Sequence, residues 1–244
     1  MPRGLVIGGF RIPTVGHEYL MNFASNWCGG KVDIVVCSRP GDLVHGRIRQ
    51  GWLQEVMGNR ASVLNFYNEL PEDDNGSQDF WNLWAKSLVN QIGYTPDFLF
   101  ASELYGKPLA DAIGATFIPV DIDRDTVPVS STKVRKDVYT NWDGLLAPVR
   151  AYYLKRVAIL GAESCGKTTL ARKLALAHNT VMVPEWARTY LENTNPEKYP
   201  DATDIEHIAH GQAAAEDSLL HRARHVLISD TDHVCTAVWC RQGL

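Results

Sequence analysis

Residues Leu5–His17 read LVIGGFRIPTVGH, and this stretch decides the fold of the first half of the chain. The apolar run Leu5–Ile7 is typical of a buried strand. Gly8 and Gly9 then allow the backbone to turn close to a phosphate without a side chain in the way. A helical pattern begins at His17, and the free amides at a helix start attract anions. A strand, a glycine turn and a helix in this order indicate an α/β unit that binds a phosphate group.

Strands and helices alternate from this stretch outward. Apolar, β-branched runs recur with helical patterns between them, which predicts a parallel sheet with helices on both faces. Sheets of this kind bind ligands beyond the carboxyl ends of their strands. The predicted strands are Gly4–Gly9, Val32–Cys37, Ser62–Phe66, Asp97–Ala101 and Thr116–Val120, and the predicted helices are His17–Trp27, Gly46–Met57, Phe80–Gln91, Pro108–Ile113 and a short helix from about Thr132.

A second phosphate motif lies in the other half of the chain. Gly161–Thr168 reads GAESCGKT, which fits the P-loop pattern GxxxxGK[ST], and it follows an apolar strand at Val157–Leu160. In such a loop the backbone amides wrap the phosphates, Lys167 neutralises their oxygens and Thr168 ligates Mg²⁺. The candidate residues are Gly161, Glu163, Ser164, Cys165, Gly166, Lys167, Thr168 and Thr169.

The elements around the P-loop predict a second α/β unit. They are a helix over 167–178, a strand over 180–183, helices over 185–192 and 203–224 and a strand over 225–229. We place the domain boundary at 153/154, so that the two domains cover residues 1–153 and 154–244.

Composition excludes several classes of protein. With 244 residues, 45% of them hydrophobic, the chain is long enough for one large or two ordinary domains with buried cores. A net charge of −4 argues against the basic surface that nucleic-acid binding needs, and no apolar run approaches the roughly 20 residues of a membrane span. The five cysteines form no CxxC pair, as expected of free thiols in a reducing compartment. We expect a cytoplasmic protein without nucleic-acid or membrane partners.

The first motif has a matching segment about 115 residues later. Val129–Arg135 reads VSSTKVR, and it resembles the ISSTxxR signature that accompanies the glycine turn in nucleotidylyltransferases. Serines at a helix start expose amides and hydroxyls to a phosphate chain, and Arg135 can make a bidentate phosphate contact. His17 can donate a hydrogen bond to the α-phosphate as its charge rises in the transition state. The predicted catalytic residues are His17, Thr14 and Arg135, and the predicted ATP-binding residues are Gly8, Gly9, Phe10, Gly16, Ser130, Ser131 and Thr132.

Together the motifs resemble those of NadR-type proteins, which join a nicotinamide mononucleotide (NMN) adenylyltransferase to a ribosylnicotinamide kinase. The resemblance covers essentially the whole chain from Leu5. It implies a Rossmann-like nucleotidylyltransferase domain with a parallel sheet, followed by a P-loop kinase-like α/β domain. The implied reaction is attack of the NMN phosphate on the α-phosphorus of ATP, giving NAD and pyrophosphate, with Mg²⁺ as cofactor. The segments that carry the resemblance, besides the two halves of the first motif, are Trp81–Trp84, Ala101–Gly106, Val157–Lys167 and Asp230–Asp232.

Several positions allow more than one interpretation. Thr14 stands where the commonest form of the motif has a histidine, although other NMN adenylyltransferases resemble this chain in having threonine there. Trp81 and Trp84, spaced i, i+3, are as compatible with a core stripe as with stacking on the positively charged nicotinamide ring. Arg47 and Arg49 are as compatible with a solvent-exposed helix face as with contact to a substrate phosphate. Ser102 and Glu103 follow a strand end and can border the nucleotide.

The second half offers its own candidate catalytic residues. Asp230 follows the predicted strand 225–229 and is the expected Mg²⁺ partner of Thr168, with Asp232 next to it. Glu185 and Arg188 follow the strand before it; in related nucleoside kinases a carboxylate there takes the proton from the sugar 5′-hydroxyl, whereas a carboxylate favoured by the helix dipole is the plainer interpretation. Since the chain stops about 90 residues into this half, we expect an incomplete kinase domain with weak or absent phosphorylation of ribosylnicotinamide.

Two alternatives to an NMN adenylyltransferase joined to a ribosylnicotinamide kinase stay open. The first domain could adenylylate a different phosphorylated acceptor, such as phosphopantetheine, although the paired tryptophans and the fused P-loop argue against it. The P-loop half could instead be a nucleotide-sensing or oligomerisation module, and a homo-oligomer is compatible with the sequence. A transcriptional regulator is the least favoured class, because the helix-turn-helix of some family members has no counterpart here and the basic balance is missing.

Overall fold

The computed structural model describes residues 2–72, 78–162, 164–194, 200–232, 234, 235 and 238. The chain divides into two compact units, Met1–Val149 and Arg150–Leu244. The sequence places the domain boundary at 153/154, four residues further along. Both units are α/β structures built on parallel strands, so the predicted fold class is confirmed at that level.

The first unit is a five-stranded sheet in the order β3-β2-β1-β4-β5, with all neighbours parallel. The chain builds outward from β1 through β2 to β3 and then crosses to β4 on the other side of β1. Such a reversal leaves a crevice at the carboxyl ends of the central strands, where open α/β sheets bind their ligands. The strands are β1 (Gly4–Gly8), β2 (Val32–Ser38), β3 (Ser62–Tyr67), β4 (Phe98–Ala101) and β5 (Thr116–Pro119).

The helices of this unit lie close to the predicted ranges. Three of them begin two residues earlier than their apolar patterns indicate, which is the usual uncertainty of a helix boundary. None of the described helices of the chain is long and apolar enough to cross a membrane. The helices are α1 (Val15–Trp27), α2 (Gly46–Met57), α3 (Gln78–Ile92), α4 (Gly106–Ile113), α5 (Ser131–Lys136) and α6 (Ala147–Tyr153), the last of which continues into the second unit.

The start of α2 is held unusually close to the sheet. A Cβ atom at Gly46 would lie 2.2 Å from Oδ1 of Asn65 and 2.4 Å from Cβ of Ser38, so the helix backbone touches the carboxyl ends of β2 and β3. Only glycine permits this approach. The close contact fixes where α2 stands relative to the strand ends that form the crevice.

The second unit has a three-stranded parallel sheet in the order β6-β8-β7 among the residues that the structure describes. The helix predicted over 203–224 ends earlier than expected, because the chain turns into a 3₁₀ segment at Leu220–Arg222. The carboxyl ends of all three strands share one edge of the sheet, since the strands are parallel. The elements are β6 (Lys155–Ile159), α7 (Lys167–Ala177), β7 (Met182–Val183), α8 (Trp186–Thr194), α9 (Ala202–Leu219) and β8 (Val226–Asp230).

Candidate nucleotide-binding sites

A cavity of about 680 Å³ opens at the carboxyl ends of β1, β2 and β4, where the strand order reverses. Most of the residues predicted for the first site line it, although they come from segments up to about 125 positions apart in sequence. These residues are Gly8, Gly9, Phe10, His17, Trp81, Trp84, Ser131, Thr132 and Arg135, together with Ser102 and Glu103. The fold therefore brings the two halves of the first motif and both tryptophans to one cavity.

The glycine turn carries a strained residue. Phe10 has φ 42°, in the left-handed region that costs a residue with a side chain about 1–2 kcal/mol. Its ring is buried, lies edge-on to the ring of His17 at 5.2 Å, and is so close to Gly8 that a Cβ there would lie 3.2 Å from it. Strain of this kind persists only where surrounding contacts hold it, and it is common in ligand-binding turns.

His17 has a defined protonation state. The backbone N–H of Thr14 donates to its Nδ1 at 3.0 Å, so Nδ1 is an acceptor and the ring proton belongs on Nε2. Burial, followed by the positive charges of Arg124 and Arg135, lowers the pKa of His17 from 6.5 to about 4. At neutral pH the side chain is thus an uncharged imidazole whose Nε2–H is left to donate.

This pKa has a consequence for stability. The unfolded chain takes up a proton at His17 near pH 6.5, whereas the folded chain resists it down to about pH 4. The contribution of neutral His17 to the free energy of unfolding is fully present above pH 6.5. It is lost as the pH falls towards 4, because the unfolded state then binds a proton that the folded state does not. We therefore expect the free energy of unfolding of the parent, relative to that of His17→Gln, to fall by up to about 1 kcal/mol per pH unit between pH 7 and pH 5. Urea unfolding at pH 7, 6 and 5 measures it. A constant difference across this range would show that His17 titrates normally.

Thr14, Gly16 and Ser130 lie apart from the wall of the large cavity. Thr14 is 2% exposed, and its hydroxyl lies 3.0 Å from Nδ1 of His17, so it is engaged with the histidine. Thr14 and Gly16 instead line a second, smaller cavity of about 40 Å³ beside it. Ser130 caps α5, where its hydroxyl accepts from the N–H of Lys133 at 3.4 Å.

Two arginines that were not predicted as site residues also line the large cavity. Arg11 follows β1 and Arg39 follows β2, and Glu72 lies 3.4 Å from Nη2 of the first and 3.2 Å from Nε of the second. Arg135, which lines the same cavity, is exposed and donates to Oγ1 of Thr132 at 3.0 Å. The position of Arg39 directly after a strand end is the signal in the sequence that could have identified it.

The tryptophan pair lies between the core and the large cavity. Trp81 and Trp84 are half-buried against the core of the first unit and also line the cavity. Trp84 donates from Nε1 to the carbonyl of Pro71 at 3.0 Å, and Phe80 lies edge-on to Trp81 at 4.8 Å. These contacts hold the two indoles in place at an aromatic wall.

The P-loop of the second unit has the backbone expected of one. Ser164 and Gly166 both have positive φ, at 57° and 91°, so the loop coils before α7 begins at Lys167. The Lys167 ammonium donates to the carbonyls of Gly161 at 3.0 Å and Ala162 at 2.9 Å. Among the predicted loop residues, Cys165 and Thr169 are exposed, and Glu163 lies outside the described residues.

Thr168 and Asp230 have the geometry of a cation site. The Thr168 hydroxyl donates to Oδ2 of Asp230 at 2.5 Å, and the Asp230 side chain is 1% exposed. Its other oxygen, Oδ1, is buried and has no hydrogen-bond partner within the described part of the chain. A buried carboxylate oxygen needs a partner, and Mg²⁺ prefers carboxylate and hydroxyl oxygens together with water. The two residues therefore fit Mg²⁺, which they would hold at the end of the P-loop.

The remaining kinase candidates divide into two groups. Glu185 follows β7, so it stands at the same sheet edge as the P-loop and Asp230; it pairs with Arg188 at 3.4 Å. Asp232 accepts from the backbone N–H of Cys235 at 2.8 Å.

Known proteins match both units. A family model described as an AAA domain matches residues 156–243. The trifunctional NAD biosynthesis/regulator protein NadR of Salmonella typhimurium (strain LT2) is 30% identical to this chain, over 98% of the chain and 62% of that protein. The protein of the same name from Escherichia coli (strain K12) is 30% identical over 66% of this chain and 41% of its own length. The chain thus spans less than two thirds of the length of either curated relative.

Two solved structures of NadR share the fold. A NadR protein in complex with NR is 26% identical, with a TM-score of 0.74 over 99% of this chain and 71% of that one. A NadR protein in complex with NAD and AMP-PNP also gives a TM-score of 0.74, over 99% of this chain and 72% of that one, at 24% identity. In sequence and in fold, this chain is similar to NadR along nearly its whole length.

Proposed function

We propose that the first unit transfers the adenylyl group of ATP to NMN, giving NAD and pyrophosphate. The observation that carries the proposal is the single cavity in which the glycine turn, His17, the start of α5 and two tryptophans meet. The known relatives are NAD biosynthesis proteins, which favours a nicotinamide nucleotide as the acceptor over phosphopantetheine. An oxygen of the NMN phosphate bonds to the α-phosphorus as the bond to the bridging oxygen of pyrophosphate breaks.

The residues of the cavity divide this work between them. Ser131, Thr132 and Arg135 supply amides, hydroxyls and positive charge for the β- and γ-phosphates on the leaving side. The Nε2–H of His17 is the donor for the α-phosphate oxygen whose charge rises during transfer. An uncharged donor suits this role, since it binds the growing charge without holding the ground state too tightly. Mg²⁺ arrives with ATP as part of the substrate.

The acceptor would use other side chains of the same cavity. The indoles of Trp81 and Trp84 offer aromatic faces to the cationic nicotinamide ring, an attraction that desolvation strengthens. Arg11 and Arg39 stand at the same cavity with charges that a phosphate can share with Glu72. The acceptor phosphate is thereby placed near the glycine turn.

The test is product analysis with the full chain. We expect dinucleotide and pyrophosphate to form in equal amounts when the protein is incubated with ATP, Mg²⁺ and NMN. Parallel incubations with nicotinic acid mononucleotide, phosphopantetheine and ribosylnicotinamide, each analysed by mass, define the acceptor. Failure of well-folded protein to form a dinucleotide from either mononucleotide would contradict the proposal.

A second function is proposed for the P-loop unit. The contact between Thr168 and Asp230, with Glu185 at the same sheet edge, supports transfer of the γ-phosphoryl group of ATP to the 5′-hydroxyl of ribosylnicotinamide. Lys167 would neutralise the phosphates, Glu185 would take the hydroxyl proton, and bound Mg²⁺ would stabilise the transferring charge. Formation of NMN in the ribosylnicotinamide incubation supports this activity. ATP binding without any phosphorylated product would instead support the nucleotide-sensing module.

A further inference from the structure

Arg49 occupies a position that neither expectation from the sequence describes. It lies on α2 and is 1% exposed, so it is neither on a solvated helix face nor on the wall of the cavity. Its neighbour Arg47 on the same helix is exposed and does not line the cavity either. A guanidinium is buried in this way only where charge and hydrogen bonds compensate its lost hydration.

The partners of Arg49 are the ends of two strands and the loop after the second. Its Nη2 donates to Oδ2 of Asp42, and its Nη1 donates to the carbonyl of Gly9 and, at 3.3 Å, to the carbonyl of Cys37. Asp42 in turn accepts from the backbone N–H of Arg39 at 3.0 Å. One planar side chain therefore ties the glycine turn after β1 to the loop after β2. Because Asp42 neutralises it, Arg49 adds little net charge to the cavity.

The contact to Gly9 sets the direction of one peptide unit. The peptide between Gly9 and Phe10 is trans, as are all the peptide bonds that the structure describes, so its N–H points opposite to its carbonyl. The carbonyl accepts from Arg49, which does not line the cavity, whereas Gly9 and Phe10 do line it. The N–H of Phe10 therefore points away from Arg49. Phe10, which contributes the N–H of this peptide, is the residue with the strained φ.

We propose that Arg49, with Asp42, is a positioning pair that holds the Gly9–Phe10 peptide with its amide towards the cavity, so that the turn is preorganised for phosphate. The inference rests on the adenylyl transfer proposed above. Preorganised donors act at the transition state without reorganisation, and one of them is worth on the order of 10²–10³ in rate. Arg49 itself does not line the cavity, so its role in the proposal is positioning.

The experiment compares four variants made in the 244-residue chain that carries Lys167→Ala. This protein is the parent for the experiment, and in it the cavity is the ATP site under study. These are Arg49→Met, Arg49→Lys, Arg49→Met with Asp42→Asn, and the control Arg47→Met. For Arg49→Met we expect kcat for NAD formation to fall on the order of 10²-fold, with a smaller rise in KM for ATP. The control is expected to match the parent. The double variant removes both charges together, so it keeps the test open where the single variant folds poorly.

Arg49→Lys separates positioning from charge. A lysine keeps the positive charge beside Asp42 but lacks the planar fork that reaches Asp42 and two carbonyls at once. We therefore expect its melting temperature to approach that of the parent while kcat stays well below it. Parent-like kcat in the folded double variant, or in Arg49→Lys, would overturn the proposal. Calorimetric titration with ATP alone, expected to show weaker binding in Arg49→Met, still decides the question if the parent forms no dinucleotide.

Discussion

Replacement of His17 by alanine is expected to lower kcat for NAD formation by about 10²–10³-fold, with a far smaller change in KM for ATP. The ring is neutral at pH 7 and its Nδ1 is occupied by the N–H of Thr14, so Nε2–H is the donor that the substitution removes. Its hydrogen bond strengthens as charge develops on the α-phosphate, and its loss therefore appears in kcat. Steady-state pyrophosphate release at saturating NMN measures both constants.

Thr14 provides the comparison for this expectation. Since its hydroxyl contacts Nδ1 of His17, Thr14→Ala acts by loosening the ring and should cost much less than His17→Ala. Thr14→Ser keeps the hydroxyl and serves as the matched control, with kcat close to the parent. If His17→Ala and Thr14→Ala lowered kcat equally, the division of roles between donor and support would be incorrect.

The second large effect concerns the P-loop. Lys167→Ala is expected to abolish ATP binding in the second unit while NAD formation stays nearly intact. The loop loses the charge that neutralises the phosphates. The large cavity is unaffected, because all the residues that line it belong to the first unit. Calorimetric titration with ATP and Mg²⁺ should show two sites in the parent and one in the variant.

The control for this expectation lies on the same helix. Lys173 is exposed on α7, so Lys173→Ala removes an equal charge outside the loop and should retain both sites. A well-folded Lys167→Ala protein that no longer forms NAD would show instead that nucleotide at the P-loop controls the first unit.

The sequence was sufficient to predict the elements and most of the cavity. Buried parallel strands appear in the sequence as continuous apolar runs, so they could be predicted. Gly8 to Phe10 and Ser131 to Arg135 could be assigned to one site because together they resemble the nucleotidylyltransferase signature. The five strands of the first unit lie within two residues of their predicted bounds.

The supporting contacts could not be predicted in the same way. Arg49 is buried because Asp42 and two carbonyl groups from separate strands converge on it, and no local pattern in the sequence encodes that convergence. Thr14 was predicted to be catalytic, yet its hydroxyl contacts His17, three residues away at the start of α1. A tertiary contact decides the position of Arg49, and a local capping contact decides that of Thr14.

The glycine at position 46 limits how this sequence can evolve. Any side chain there would collide with Asn65 and Ser38. A substitution at position 46 is therefore expected to destabilise the fold unless both neighbours have changed first. Arg49 stands almost one turn further along the same helix, and its reach to Gly9 depends on how closely that helix approaches the sheet. A larger residue at position 46 would move α2, and with it the Arg49 side chain that supports the glycine turn. Positions 46 and 49 are therefore expected to change together or not at all.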